Sequence, residues 1–144
     1  MISPAPSDVA ALLEFVLSVN PPNSVTSMYL FGGHRDDRAH RESDIDLGVL
    51  LRRDAYPTAR DRFEEGLRLA SWIAAETRCP LVDLVVLNDA PPGLAARIVT
   101  SGSAIYCADA ELDHAFRRDA QLRAIDLEPF LRRARRLKLR AIAR

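Results

Sequence analysis

Three apolar runs of seven residues constrain this chain most: Val25–Phe31 (VTSMYLF), Ile45–Leu51 (IDLGVLL) and 81–87 (LVDLVVL). Each is dense in branched or bulky side chains, bounded by turn formers and too short for a globular helix, so each reads as a buried strand. Helical periodicity fills the intervals. Ser7 is suited to cap a first helix with Val9, Leu12, Leu13, Val16 and Leu17 inward, ending before Pro21-Pro22. Pro57 suits the first position of a second helix, whose inner face is expected at Phe63, Leu67, Ala70, Ile73 and Ala74. Pro91 and Pro92 open a third, with Leu94 and Ile98 inward and Gly102 at its end. Residues 104–107 suit a short fourth strand, and the last 35 or so read as helical with a break near Pro129.

The order α-β-β-α-β-α-β-α predicts an α/β fold, a small mixed sheet flanked by helices. The first two strands are separated by about a dozen residues, too few for a comfortable parallel crossover, so antiparallel pairing is expected there. At 144 residues the chain is expected to be one domain, 1–144, with 110–144 a basic C-terminal helical segment.

Composition narrows the class. With 48% hydrophobic residues the chain is not disordered, and no apolar stretch approaches the roughly 18 residues of a membrane span. The start, MISPAPSDVA, lacks a basic segment followed by an apolar one, so no secretory leader is expected. Cys79 and Cys107 lack metal-ligand spacing, and a reducing cytoplasmic setting follows. Twenty basic residues balance 20 acidic ones, which argues against direct nucleic-acid binding by the whole surface. The balance is uneven along the chain. From Arg117 onward ten basic residues face three acidic ones, a net of +7, so the preceding part carries −7.

The chemistry concentrates in Phe31-Gly32-Gly33, ten intervening residues, then Asp44-Ile45-Asp46-Leu47, with Asp83 inside the third run. Residues i and i+2 of a strand share a face with Cα atoms about 6.6 Å apart, so Asp44 and Asp46 stand side by side while Ile45 and Leu47 turn to the core. Two such carboxylates repel, and a divalent cation relieves them; hard oxygen donors select Mg²⁺ or Mn²⁺. A third strand placed beside the second brings Asp83 into a cluster suited to a two-metal site. Gly32 and Gly33 end a strand where bare backbone N–H groups can meet phosphate oxygens. Alone, an Asp-x-Asp pair more often marks the solvent face of a strand, and a Gly-Gly pair a plain tight turn; the combination is what points to a site. Arg35, Arg38 and Arg41 are either triphosphate contacts or a solvated loop, and His34 and His40 lack metal spacing. Trp72 reads as core and Tyr106 as packing at the sheet edge.

This pattern resembles the DNA-polymerase-β-like nucleotidyltransferase superfamily, and the chain is most similar to its minimal members. The segments MYLFGG…ESDIDLGVLL and CPLVDLVVLNDAPPGLAARIVTSGSAIY resemble the bacterial antitoxin branch, encoded beside HEPN-domain ribonuclease toxins. The resemblance runs from about Val25 to Tyr106 and implies a polymerase-β-like palm. It implies ATP as substrate, Mg²⁺ (or Mn²⁺) as cofactor, and transfer of AMP to a tyrosine of a HEPN toxin partner. Asp44, Asp46 and Asp83 would be the catalytic and metal-holding residues, and Gly32 and Gly33 would seat the ATP triphosphate. Gly33 departs from the minimal group, where serine is usual; the missing hydroxyl implies a weaker hold on phosphate. Two other classes stay open: an antitoxin that acts by binding alone, and a small-molecule nucleotidyltransferase, which usually carries an added helical domain.

Overall fold

The computed structural model describes residues 6–31 and 45–143. The elements run α1 (Pro6–Val19), β1 (Val25–Phe31), β2 (Ile45–Leu51), α2 (Ala59–Thr77), β3 (Val82–Val86), α3 (Pro92–Ser101), β4 (Ser103–Cys107) and α4 (Ala110–Ala143), with a 3₁₀ turn at Leu87–Asp89. The four strands form one mixed sheet in the order β3-β2-β1-β4. β1 pairs antiparallel with β2 and β4, as the short connection requires, while β2 and β3 are parallel across the α2 crossover.

Alternation along the strands divides the core in two. Ile45, Leu47, Val49 and Leu51 of β2 join Met28 and Leu30 of β1 beneath Val9, Leu13 and Leu17 of α1 and Leu69 and Ile73 of α2. Tyr29 and Leu50 face the opposite way, against Ala95, Ile98 and Val99 of α3 and Ala120 of α4. The sheet is therefore a middle layer with helices on both sides. Trp72 and Tyr106 are partly buried against the first cluster, as the sequence suggests.

The helix ends and faces differ from expectation in places. α1 already contains Ser7, starting at Pro6, whose fixed φ suits a first turn. α2 begins at Ala59, not Pro57, because Thr58 is the cap: its Oγ1 accepts from the Asp61 N–H at 3.0 Å. The third strand stops at Val86, since Leu87 enters the 3₁₀ turn. The inner face of α2 is also rotated. Arg62, Glu65, Gly66, Leu69, Ile73 and Thr77 are buried, whereas Phe63 is 63% and Leu67 56% exposed. Gly66 turns inward because β3 lies so close that a Cβ there would sit 2.9 Å from Val86 Cγ2. Arg62 is tolerated inside because its guanidinium donates twice to Asp89, each at 2.9 Å, and once to the Tyr56 carbonyl at 3.0 Å. Finally, α4 is unbroken: Pro129 lies inside one 34-residue helix.

Candidate carboxylate site at the head of the sheet

The site lies where β1 ends and β2 and β3 begin. On the α3 side of β2 the successive residues are Leu50, Gly48 and Asp46. Leu50 is buried in the second cluster. Gly48 lets α3 press onto the strand, since a Cβ there would come within 2.7 Å of Ile98 Cγ2. Asp46, the next residue on that face, is 7% exposed. Asp46 pairs directly with Asp83 of β3 and, on its other side, with Phe31, the last residue of β1. Neighbouring strands lie about 4.8 Å apart and in-register residues share a face, so the two carboxylates leave the sheet together. Asp83 is solvent-exposed.

The structure thus brings together two of the residues singled out from the sequence. Gly32, Gly33 and Asp44 lie outside the described residues, as do His34, Arg35, Arg38, His40 and Arg41. Accordingly, no group of three or more His, Cys, Asp or Glu able to hold a metal occurs among the described residues. The pair itself fits a hard divalent cation: two carboxylates on one face, one of them shielded from water, with oxygen donors alone.

A polar group that the sequence did not disclose fixes the layer behind this site. Tyr29 is fully buried, its hydroxyl donates to Asp113 of α4, and Arg117 Nη1 donates to that hydroxyl at 3.2 Å. The Arg117 guanidinium also lies 5.7 Å from the centre of the Tyr29 ring. Burial, with the Asp113 hydrogen bond, pushes the Tyr29 phenol up to about 12. A second such group is Asn88, whose amide accepts from Leu51 N–H at 2.9 Å and donates to Leu51 carbonyl at 3.0 Å, closing the far end of β2. Strand alternation placed Tyr29 in the chain but gave no sign of partners 84 and 88 residues away.

The mixed sheet sets Asp46 and Asp83 side by side where β2 and β3 begin, the placement expected of a nucleotidyltransferase palm. The model of the family "Polymerase beta, Nucleotidyltransferase" matches residues 16–111, and the chain belongs to that family. Among characterised proteins, it is 35% identical over 79 residues to the protein adenylyltransferase MntA of Shewanella oneidensis. That match covers 55% of this chain and 52% of the relative, so the chain spans about half the length of the curated protein it matches. Among solved structures, a toxin–antitoxin with AMP-PNP contains a chain 26% identical, with a TM-score of 0.59, covering 94% of this chain and 98% of that one. A tri-AMPylated Shewanella oneidensis HEPN toxin in complex with MNT antitoxin matches in fold, at 23% identity and a TM-score of 0.54, with 97% of each chain covered. No helix among the described residues is long and apolar enough to cross a membrane.

Proposed function

We propose that this chain is a Mg²⁺-dependent protein adenylyltransferase and antitoxin, moving AMP from ATP to a tyrosine of a HEPN ribonuclease toxin. The observation that carries the reading is the direct pairing of Asp46 with Asp83 across β2 and β3, beside the end of β1. The similarity to MntA, and to the toxin–antitoxin chain with AMP-PNP, supports the same chemistry.

In this reading Asp44, Asp46 and Asp83 hold Mg²⁺, and Gly32 and Gly33 receive the triphosphate on their N–H groups. When bound, the metal neutralises phosphate charge and lowers the cost of ionising the acceptor. The tyrosine oxygen attacks the α-phosphorus, the bond from that phosphorus to the bridging oxygen breaks, and pyrophosphate leaves. A phenol with pKa near 10 must shed its proton to attack. Asp83 is suited to take it, being exposed where an acceptor can approach, while buried Asp46 is suited to a fixed ligand role. A cytoplasmic setting, where ATP and a toxin meet, accords with the two free cysteines.

The test is to incubate the protein with the product of the neighbouring reading frame, ATP and Mg²⁺, and to measure intact mass. The expected result is a gain of one or a few AMP units on the toxin, lost in Asp44→Asn. A silenced toxin of unchanged mass would indicate the binding antitoxin instead. Neither complex nor modification would favour the small-molecule nucleotidyltransferase.

A further inference from the structure

Nearly two thirds of α4, residues 122–143 of a 34-residue helix, has no place in the packed layers. Its first turns are anchored: Asp109 Oδ1 accepts from the Leu112 N–H at 3.1 Å, Asp113 and Arg117 hold Tyr29, and Phe116 and Ala120 enter the second cluster. Gln121 Nε2 then donates to Thr100 Oγ1 at 3.0 Å, at the last turn of α3. Beyond that point every side chain described, from Leu122 to Lys138, is exposed except Ala124.

The direction of the helix matters. β4 runs antiparallel to β1, from Ser103 opposite Leu30 to Cys107 opposite Ser27, so α4 starts at the end of the sheet away from Asp46 and Asp83. It returns along the α3 face. Gly102, just after Thr100, lies against the ends of β1: a Cβ there would be 3.1 Å from Leu30 O and 3.4 Å from Phe31 Cβ. The helix therefore leaves the body at the carboxylate end, and residues 122–143 extend about 33 Å beyond.

The surface of this arm is amphiphilic. Ile125, Phe130 and Leu137 are 64%, 66% and 59% exposed. Arg133, Arg135, Arg136 and Lys138 stand among them, and Ile125, Pro129, Arg132, Arg133 and Arg136 frame an open hollow of about 450 Å³. Over 122–144 eight basic residues face two acidic ones, a net of +6. A lone helix with that charge gains little from its own side chains, because like charges three and four residues apart repel. The family model ends at residue 111, just inside α4, whereas the likeness to the chain solved with AMP-PNP covers 94% of this protein and so takes in much of the helix.

We propose that residues 122–143 form the arm that seats the acceptor protein, gripping an anionic, apolar-lined face of the toxin and holding its tyrosine at the Asp46–Asp83 end. The inference rests on the adenylyltransferase reading and deepens it. The basic charge calls for an anionic partner, and the position at the mouth of the site calls for the molecule being modified. The apolar residues favour protein over RNA: bases need stacking platforms, and the arm offers one aromatic residue, Phe130, among aliphatic ones.

The test compares wild type, Arg133→Glu/Arg135→Glu/Arg136→Glu, and the matching triple Lys variant. Toxin affinity is read by calorimetry, KM for toxin by AMP transfer, and ATP affinity separately with Mg²⁺. The Glu variant is expected to bind ATP as wild type does, while its toxin Kd and KM rise at least ~10-fold; the Lys variant stays near wild type. Unchanged toxin Kd and KM in the Glu variant would overturn the proposal. So would loss of single-stranded RNA binding, or of self-association in sedimentation, with toxin KM intact. If wild type transfers no AMP at all, the enzymatic reading fails, and the toxin Kd still decides whether the arm docks the partner.

Discussion

At the scale of single residues, Asp46 and Asp83 differ in their surroundings although they share a register position. Asp46 lies between β1 and β3 and is shielded; Asp83 is on an edge strand and meets solvent. That asymmetry underlies the different roles assigned to them. Tyr29 makes a separate prediction. Its phenol ionises at about 12 in the fold against 10.0 unperturbed, raised by burial and by the Asp113 hydrogen bond. Because the folded value lies above the unfolded one, the stabilisation is complete below pH 10 and is lost as pH climbs towards 12. Tyr29→Phe should cost about 1 to 2 kcal/mol at neutral pH through the lost hydrogen bonds. It should also flatten the decline in thermal stability over that alkaline window, as melting curves at stepped pH would show. The carboxylates were legible in the sequence because a charged residue inside an apolar strand is costly and stands out. The Tyr29–Asp113–Arg117 group was not, because its members come from distant elements and each alone looks ordinary.

Among the elements, α2 shows where periodicity misleads. The helix carries two apolar stripes. One, the face expected inward, holds Phe63, Leu67, Ala70, Ile73 and Ala74, of which Ile73 is fully buried; the other brings Leu69 beside Ile73 against the sheet. Three residues without an apolar signature settle the choice: Gly66 permits contact with Val86, Arg62 is matched by Asp89, and Thr77 Oγ1 donates back to the Ile73 carbonyl at 2.7 Å. Leu69→Ala should therefore cost about 2 to 5 kcal/mol, whereas Phe63→Ala should change stability by no more than ~0.5 kcal/mol, read from urea midpoints. Equal losses in both would restore the face expected from the sequence. Pro129 is a second such case. Proline removes one backbone hydrogen bond, to the carbonyl of residue 125, and where the neighbouring side chains are exposed water can take its place. The strands, by contrast, fell within a residue of expectation, since a short apolar run bounded by polar or turn-forming residues leaves few alternatives.

For the whole molecule, topology supplies the strand adjacency that the sequence left as a condition. The parallel β2–β3 pair, joined through α2, sets Asp46 against Asp83; the antiparallel β1 ends beside them; and α4 crosses the opposite layer to emerge at the same end. The roles proposed for Gly32, Gly33 and Asp44 rest on their motif and spacing. The proposed chemistry moves a nucleotidyl group, not a phosphoryl group, at this end of the sheet. The most direct measurement is label transfer to the toxin from ATP carrying ³²P at either the α or the γ position, with wild type and Asp46→Asn. The α label is expected to pass to the toxin, the γ label to stay with released pyrophosphate, and Asp46→Asn to transfer neither. Transfer of γ label, or α label passing equally well from the Asn variant, would contradict that chemistry.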